Sequence, residues 1–203
     1  MHIEFLVEED SSAEALKFLV PKIVGNEVTF FLHSFQGKRD LLDALPERLE
    51  GYSKWLPDDW RIVVLTDRDD DDCLRLKRQL DEIAMRKHLV TASSRSAGIS
   101  IQVLNRIAVE ELEAWFFGDV DALVAAYPRV PATLARKRGF RDSDGITGGT
   151  WEALERTLQR AGYYRAGMPK IEVARKVSAL MEPRRNRSGS FKTFCAGLMK
   201  LIT

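Results

Sequence analysis

The segment RIVVLT, residues 61–66, constrains the fold most, because an apolar run is followed at once by acidic residues. A strand of a parallel sheet that is covered on both faces has this composition, whereas a strand with one solvent-exposed face alternates apolar and polar residues. HIEFLV at 2–7, VTFFLH at 28–33 and ISIQVLNRIAV at 99–109 also resemble strands. The sequence therefore predicts four strands, with residues 61–66 in the middle of the sheet.

Helical spacing of apolar residues occurs between these strands and after them. Pro21 suggests a kink or an early end in the first helix, and Pro46 suggests a restart in the second. Ser11 or Ser12 is the predicted N-cap of the first helix. Strands that alternate with helices predict an α/β fold with a mostly parallel sheet flanked by helices. The predicted helices cover residues 13–24, 40–54, 73–86, 110–117, 120–127, 151–161 and 171–181.

The two parts of the chain carry opposite charge. Residues 1–119 hold 23 acidic and 15 basic side chains, while residues 120–203 hold 7 acidic and 16 basic ones. We expect an α/β domain over 1–119 and a basic, helical C-terminal region over 120–203 that packs on it. The charge division suggests one surface for cations and one for polyanions, unless the two parts neutralise each other across an interface.

Composition excludes several classes of protein. No apolar run is long enough to span a membrane, and the acidic N-terminus lacks the layout of a signal peptide. The two cysteines, Cys73 and Cys195, have no metal-ligand spacing. We therefore expect a cytoplasmic protein that does not associate with membranes.

Two acidic clusters directly follow predicted strands. Glu8-Glu9-Asp10 follows the first strand, and Asp67-Arg68-Asp69 follows the third. Ligands of parallel sheets bind at the carboxyl ends of the strands, so neighbouring strands would bring these carboxylates together. An all-oxygen cluster favours Mg²⁺ or Mn²⁺. The competing interpretation is a solvated acidic turn, which suits residues 70–72 better because acids at a helix start are stabilised by the helix dipole.

Longer motifs carry a resemblance to a known family. They span nearly the whole chain: FLVEE, FQGKRDLL, GYSKWLPDDWRIVVLTDRDDDDC, NRIAVEELEAWFFGD, AYPRVPAT, GGTWEALERTLQRAGYY and NRSGSFKTF. With these motifs the sequence resembles the family catalogued as domain of unknown function 4276. The glutamate of FLVEE and the DRD of VVLTDRDDDD also resemble the Toprim domain of topoisomerases, primases and OLD-type nucleases. The resemblance implies a Toprim-like sheet with a helical C-terminal extension.

The Toprim resemblance implies a role for each matching residue. Glu8 matches a motif glutamate that serves as general acid/base or metal ligand, and Asp67 and Asp69 match a metal-binding Asp-x-Asp pair. OLD-type nucleases carry a further glutamate, for which EELEAW offers Glu111 and Glu113. Residues two apart on a helix cannot both face one site, so Glu111 is preferred, with Glu113 as the next ligand candidate.

The same resemblance implies an activity and partners. The expected activity is Mg²⁺- or Mn²⁺-dependent cleavage of phosphodiester bonds in nucleic acid, together with a partner ATPase in anti-phage defence. The Toprim pattern has glycine after its glutamate, whereas this chain has Glu9, which argues against topoisomerase-like strand passage. The alternative is a non-catalytic regulatory or binding subunit of such an ATPase complex. A homodimer is a further expected assembly.

Four basic residues are candidates for binding nucleic-acid phosphates. Lys38 lies beside Gly37 in HSFQGKRD, where backbone N–H groups and an ammonium would meet a phosphate. An ordinary strand-to-helix turn explains this segment equally well. Arg185, Arg187 and Lys192 lie in a basic cluster near the C-terminus, which also contains hydroxyl donors.

Overall fold

The computed structural model describes residues 1–202, and every strand of its central sheet runs parallel to its neighbours. The described strands are β1 (His2–Val7), β2 (Thr29–Ser34), β3 (Trp60–Asp67) and β4 (Val103–Ala108), in the order β2-β1-β3-β4. The predicted α/β fold is confirmed, and β3 lies between β1 and β4 with its apolar residues buried. The carboxyl ends of β1, β3 and β4 therefore meet at one edge of the sheet.

Helices connect these strands and cover both faces of the sheet. The helices are α1 (Asp10–Val24), α2 (Lys38–Ser53), α3 (Cys73–Arg86), α4 (Glu113–Gly118), α5 (Val120–Ala126), α6 (Thr150–Arg160), α7 (Lys170–Leu180) and α8 (Gly189–Ile202). Three short 3₁₀ turns lie between α5 and α6. None of the helices within residues 1–202 is long and apolar enough to cross a membrane.

Each face of the sheet has its own hydrophobic core. Helices α2 and α3 cover one face, where Leu45 and Leu80 pack with Val64. Helix α1 and the C-terminal helices cover the other face, where Leu19 and Phe191 belong to the core that includes Val63. The helices after residue 119 thus share a core with the sheet, and α7 packs along α1.

The structure corrects several predicted boundaries. Helix α2 continues through Pro46 rather than restarting there, because its buried stripe of leucines holds the helix against the sheet despite the missing N–H donor. Helix α1 has Glu9 as its N-cap, not a serine. Strand β4 begins at Val103, and α4 begins only at Glu113. The last correction changes the geometry of the acidic residues that follow β4.

Candidate metal centre

Glu8 is fixed at the point where β1 ends beside β3. Its side chain is only 6% exposed. Its Oε2 accepts hydrogen bonds from Oγ1 of Thr66 at 2.5 Å and from the backbone N–H of Asp67 at 3.0 Å. Burial raises the pKa of Glu8, and these two hydrogen bonds only partly offset the rise. The strand pairing therefore places Glu8 and Asp67 next to each other, although 58 residues of chain separate them.

Asp67 is the last residue of β3 and is recessed among other carboxylates. No group within residues 1–202 donates a hydrogen bond to its carboxylate, which distinguishes it from Glu8. Burial, followed by the negative charges of Glu113 and Glu8, raises the pKa of Asp67 well above its ordinary value. A carboxylate that is recessed, surrounded by like charges and without donors is costly to keep ionised unless a cation is nearby.

Glu113 reaches the same site from the start of α4. Its side chain is 5% exposed, and the charge of Lys170 and its own backbone N–H stabilise the ionised carboxylate. Burial and then the charge of Glu111 raise the pKa of Glu113 to about 7. Among the carboxylates near Asp67, Glu113 has the largest effect on its pKa. We call Glu8, Asp67, Asp69, Glu111 and Glu113 the carboxylate cluster.

Asp69 lies at the margin of the carboxylate cluster because the chain turns there. Its φ is 47°, in the left-handed region, so the Asp-x-Asp segment is not extended. Its Oδ2 lies 2.7 Å from Nζ of Lys38, which also contacts Oδ2 of Asp71 at 2.8 Å. Burial disfavours the charged ammonium, but the hydrogen bonds to both aspartates outweigh it and raise the pKa of Lys38. Lys38 is therefore a counter-ion of the acidic turn.

Glu111 supports a neighbouring helix. Its Oε2 accepts hydrogen bonds from Oγ1 of Thr150 at 2.9 Å and from the backbone N–H of Trp151 at 2.7 Å, so it caps the start of α6. Because Glu111 precedes α4 and Glu113 begins it, the expectation that a helix would turn one of them away from the site was wrong. Both affect the pKa of Asp67, and Glu113 has the larger influence.

Lys170 is a member of this region that the sequence did not indicate. It is the first residue of α7, and its Nζ lies 3.1 Å from Oε2 of Glu9 and 4.8 Å from the ring centre of Trp151. The charges of Glu9, Glu113 and Asp67 help to raise the pKa of Lys170 against the opposing effect of burial. A cation at a helix N-terminus is unfavourable because it opposes the helix dipole. A lysine at the predicted start of α7 was therefore the one sequence feature that could have indicated a role for Lys170.

The other predicted phosphate-binding residues lie away from these contacts. Arg185 binds the buried carboxylate of Asp119 through two hydrogen bonds of 2.7 and 2.9 Å. The backbone N–H of Arg187 donates to the carbonyl of Gly118, and Lys192 is exposed on α8. Within residues 1–202, none of these three basic side chains forms an ion pair with the carboxylate cluster. Their role in binding nucleic acid stays a prediction.

The chemistry of the carboxylate cluster fits a hard divalent cation. Asp67 and Glu113 supply oxygens with few or no hydrogen-bond donors, and such oxygens are the ligands that Mg²⁺ and Mn²⁺ prefer. No group of three or more His, Cys, Asp and Glu side chains is already arranged around a metal position in the described part of the chain. Asp67 and Glu113 are the carboxylates that would hold such an ion, with Glu8 beside them, because Glu113 and Glu8 are the acids that act most strongly on Asp67.

Comparison with known proteins gives one match. A family model described as "Domain of unknown function (DUF4276)" matches residues 7–199. No curated protein and no solved structure matched the chain. The family match includes every member of the carboxylate cluster as well as Lys38 and Lys170.

Proposed function

The chain belongs to the DUF4276 family, and we propose that it is a Mg²⁺- or Mn²⁺-dependent nuclease that hydrolyses phosphodiester bonds in nucleic acid. The observation that carries the proposal is the Asp67 carboxylate, which is recessed beside Glu8 and Glu113 and accepts no hydrogen bond. Asp67 is only partly buried, so an incoming ion can reach carboxylate oxygens that no protein donor occupies. Asp67 accepts no hydrogen bond and forms no salt bridge among the described residues, and only the charge of Lys170 acts on it from a distance, so a ligand for a cation is the simplest function for this carboxylate.

The residues around Asp67 would have different roles in such a reaction. The bound ion would polarise a phosphoryl oxygen and lower the pKa of a water ligand. Glu8 is held rigidly by Thr66 and by the backbone of β3, so it can orient a ligand or accept a proton at a fixed position. In the metal-free protein, burial and the charge of Glu111 raise the pKa of Glu113 to about 7, so binding of the ion would release a proton from Glu113 near neutral pH.

Two lysines flank the carboxylate cluster and offer positive charge to a phosphate. Lys38 approaches from the start of α2, and Lys170 approaches from the start of α7. Each is now paired with an exposed or half-buried acid, Asp69 or Glu9, and such pairs exchange partners at low cost. An entering phosphodiester would compete for both ammonium groups, which would place it over Asp67.

Nucleic acid is the proposed substrate because the part of the chain after residue 119 is basic. It holds 16 Lys and Arg against 7 Asp and Glu, and phosphate neutralisation by such residues provides affinity that does not depend on sequence. The resemblance to OLD-type nucleases supports the same class of substrate. The proposal also extends to a partner ATPase, to a role in anti-phage defence and to a homodimer.

The test is a cleavage assay with purified protein, DNA and RNA substrates, and Mg²⁺ or Mn²⁺, with and without a partner ATPase. Asp67→Asn keeps the shape of the side chain but removes its charge, and we expect it to lower cleavage by roughly 100-fold or more. Asp70→Asn is the matched control, since Asp70 is exposed in the same acidic run. Equal cleavage by Asp67→Asn and the wild type would contradict the assignment of the site.

A second function is favoured by a separate observation. Lys38 and Lys170 already neutralise part of the acidic region, and the carboxylates are not gathered around one point. These features suit a regulatory subunit that binds a partner or a nucleotide without catalysis. Absence of cleavage on every substrate, combined with tight binding to an ATPase, would favour this alternative.

A further inference from the structure

The two edge strands of the sheet, β4 and β2, differ in how they are protected against pairing with a strand of another molecule. At β4, the carbonyl of Val90 accepts hydrogen bonds from the N–H groups of Gln102 and Val103, and Thr91 forms a bridge with Val103. Strand β4 also carries a half-buried arginine, Arg106. Charged residues and extra pairings of this kind are the usual means by which proteins prevent edge strands from associating.

Strand β2 has none of these protections. Its sequence, TFFLHS, contains no lysine, arginine, acidic residue or proline, and its six residues pair in regular register with β1. No backbone hydrogen bond reaches its outer side from the described residues. Strand β2 is therefore an uncharged edge whose outward N–H and C=O groups are available to pair with another strand.

One face of β2 is also left uncovered. Phe30 and Leu32 pack towards α1, but Phe31 and His33 lie on the other face, where α2 covers β1 and β3 instead. Phe31 is 56% exposed, and Trp55, which lines a pocket together with His33, is 55% exposed. We call Phe31, His33 and Trp55 the open face. It adds exposed aromatic surface to an open backbone edge, a combination typical of interaction sites.

Buried hydrogen bonds beneath the open face hold its side chains in place. Oε2 of the buried Glu4 lies 2.5 Å from Nε2 of His33 and accepts a hydrogen bond from the Tyr52 hydroxyl at 3.0 Å. These bonds join β1, β2 and α2. They also form the floor of a pocket of about 460 Å³ whose lining includes Glu47 and Arg48. A surface fixed in this way can dock a partner with little loss of conformational entropy.

From these features we infer that a second copy of this chain pairs with β2, antiparallel, about a two-fold axis near Phe31. A two-fold axis brings the same surface against itself, so the surface must be self-complementary. With the axis at Phe31, Phe30 faces Leu32 of the other copy and Thr29 faces its His33, and no charge meets a like charge. This pairing gives hydrogen-bond partners to the outward backbone groups of β2 in both copies, and it buries Phe31 of each copy.

The charges beside the open face support a second copy over an unrelated strand. Glu47 and Arg48 are adjacent, exposed and opposite in sign at the rim of the pocket. A rim that carries both signs of charge is self-complementary about the two-fold axis near Phe31, because opposite charges of the two copies can be set against each other. The inference names a surface for the dimer and does not depend on nuclease activity.

The test compares the mass of the full chain with that of two variants by analytical ultracentrifugation over a range of concentrations. We expect the wild type to be a dimer. Phe31→Lys places like charges opposite each other in the paired strands, so the dissociation constant should rise by roughly 100-fold. Leu74→Lys is the matched control, because Leu74 is apolar and 70% exposed but lies on α3. We expect it to remain a dimer.

Amide hydrogen exchange supplies a second, independent readout. In the dimer, the outward amides of residues 29–34 should be protected, and this protection should be lost in Phe31→Lys while the other strands keep theirs. A wild type that is monomeric at every concentration overturns the inference and leaves the edge to a strand from another protein. A dimer that Phe31→Lys leaves intact, with β2 unprotected, overturns it as well.

Discussion

At the scale of single residues, the acidic run at 67–72 divides into different roles. Asp67 lies recessed in the carboxylate cluster, whereas Asp69 and Asp71 are paired with Lys38. Asp72 is the N-cap of α3 and accepts a hydrogen bond from the N–H of Arg75 at 2.7 Å. The expectation that the end of the run serves the following helix is confirmed for Asp72. Within this run, Asp67 and the exposed Asp70 have neither a hydrogen-bond donor nor a salt bridge among the described residues.

Lys170 provides a prediction at this scale, because its ammonium acts as an internal counter-ion for Glu9, Glu113 and Asp67. The positive charge of Lys170 repels a divalent ion that binds at the same carboxylates. Lys170→Met should therefore bind Mn²⁺ several-fold more tightly than the wild type in isothermal titration calorimetry. Lys176→Met is the control, since Lys176 is on the same helix but is paired with Glu172. Unchanged Mn²⁺ affinity in Lys170→Met would show that the ammonium does not affect the metal position.

At the scale of secondary-structure elements, helix starts determine the arrangement around Asp67. Glu9 is the N-cap of α1, Lys38 is the first residue of α2, and Lys170 is the first residue of α7. Glu111 connects the loop after β4 to the start of α6. The acidic residues are therefore positioned by helix packing as well as by the sheet.

Glu111 allows a structural role to be separated from a ligand role. Replacing it with alanine removes the acceptor for the N–H of Trp151, which should cost about 1 kcal/mol of stability, as for other helix caps. Gln159→Ala, an exposed change on α6, should alter stability much less. Urea denaturation measures both. If Glu111→Ala abolishes Mn²⁺ binding as fully as Asp67→Asn does, Glu111 is a ligand rather than chiefly a cap.

At the scale of the whole molecule, the carboxylate cluster makes stability depend on pH. The folded protein holds a proton on Glu113 up to a pKa of about 7, whereas the unfolded chain releases it near 4.5. Between these values the folded state binds more protons, so the free energy of unfolding of the metal-free protein should fall as pH rises, by on the order of 3 kcal/mol. Above pH 7 this contribution should level off.

Glu113→Gln should remove the part of this pH dependence that Glu113 contributes, leaving the part due to Asp67 and Glu8, whose pKa values are also raised, and it should be more stable than the wild type at pH 8 in the presence of a chelator. Mg²⁺ should offset the loss in the wild type, raising its melting temperature more at pH 8 than at pH 5. Urea denaturation across this range measures the effect, with Asp58→Asn, an exposed acid in the turn before β3, as the control. Identical slopes for wild type and Glu113→Gln would contradict the proposed electrostatics.

The sequence alone determined the alternation of strands and helices, the central position of residues 61–66 and the placing of Glu8 and Asp67 after strands. These features follow from local patterns, because apolar periodicity and the order of elements require no knowledge of distant contacts. The family match over residues 7–199 agrees with the resemblance found in the motifs. Boundaries were less predictable, since α2 passes through Pro46 once its leucines are buried.

The tertiary structure alone decided which carboxylates have partners. Lys38 is about thirty residues from Asp69 in the chain, Glu111 is 39 residues from Thr150, and Lys170 is 161 residues from Glu9. Pairings at such separations depend on how helices pack on the sheet, which local periodicity does not specify. For the same physical reason, the sequence could indicate an acidic site but could not show that the recessed Asp67 carboxylate accepts no hydrogen bond, or that β2 is the unprotected edge.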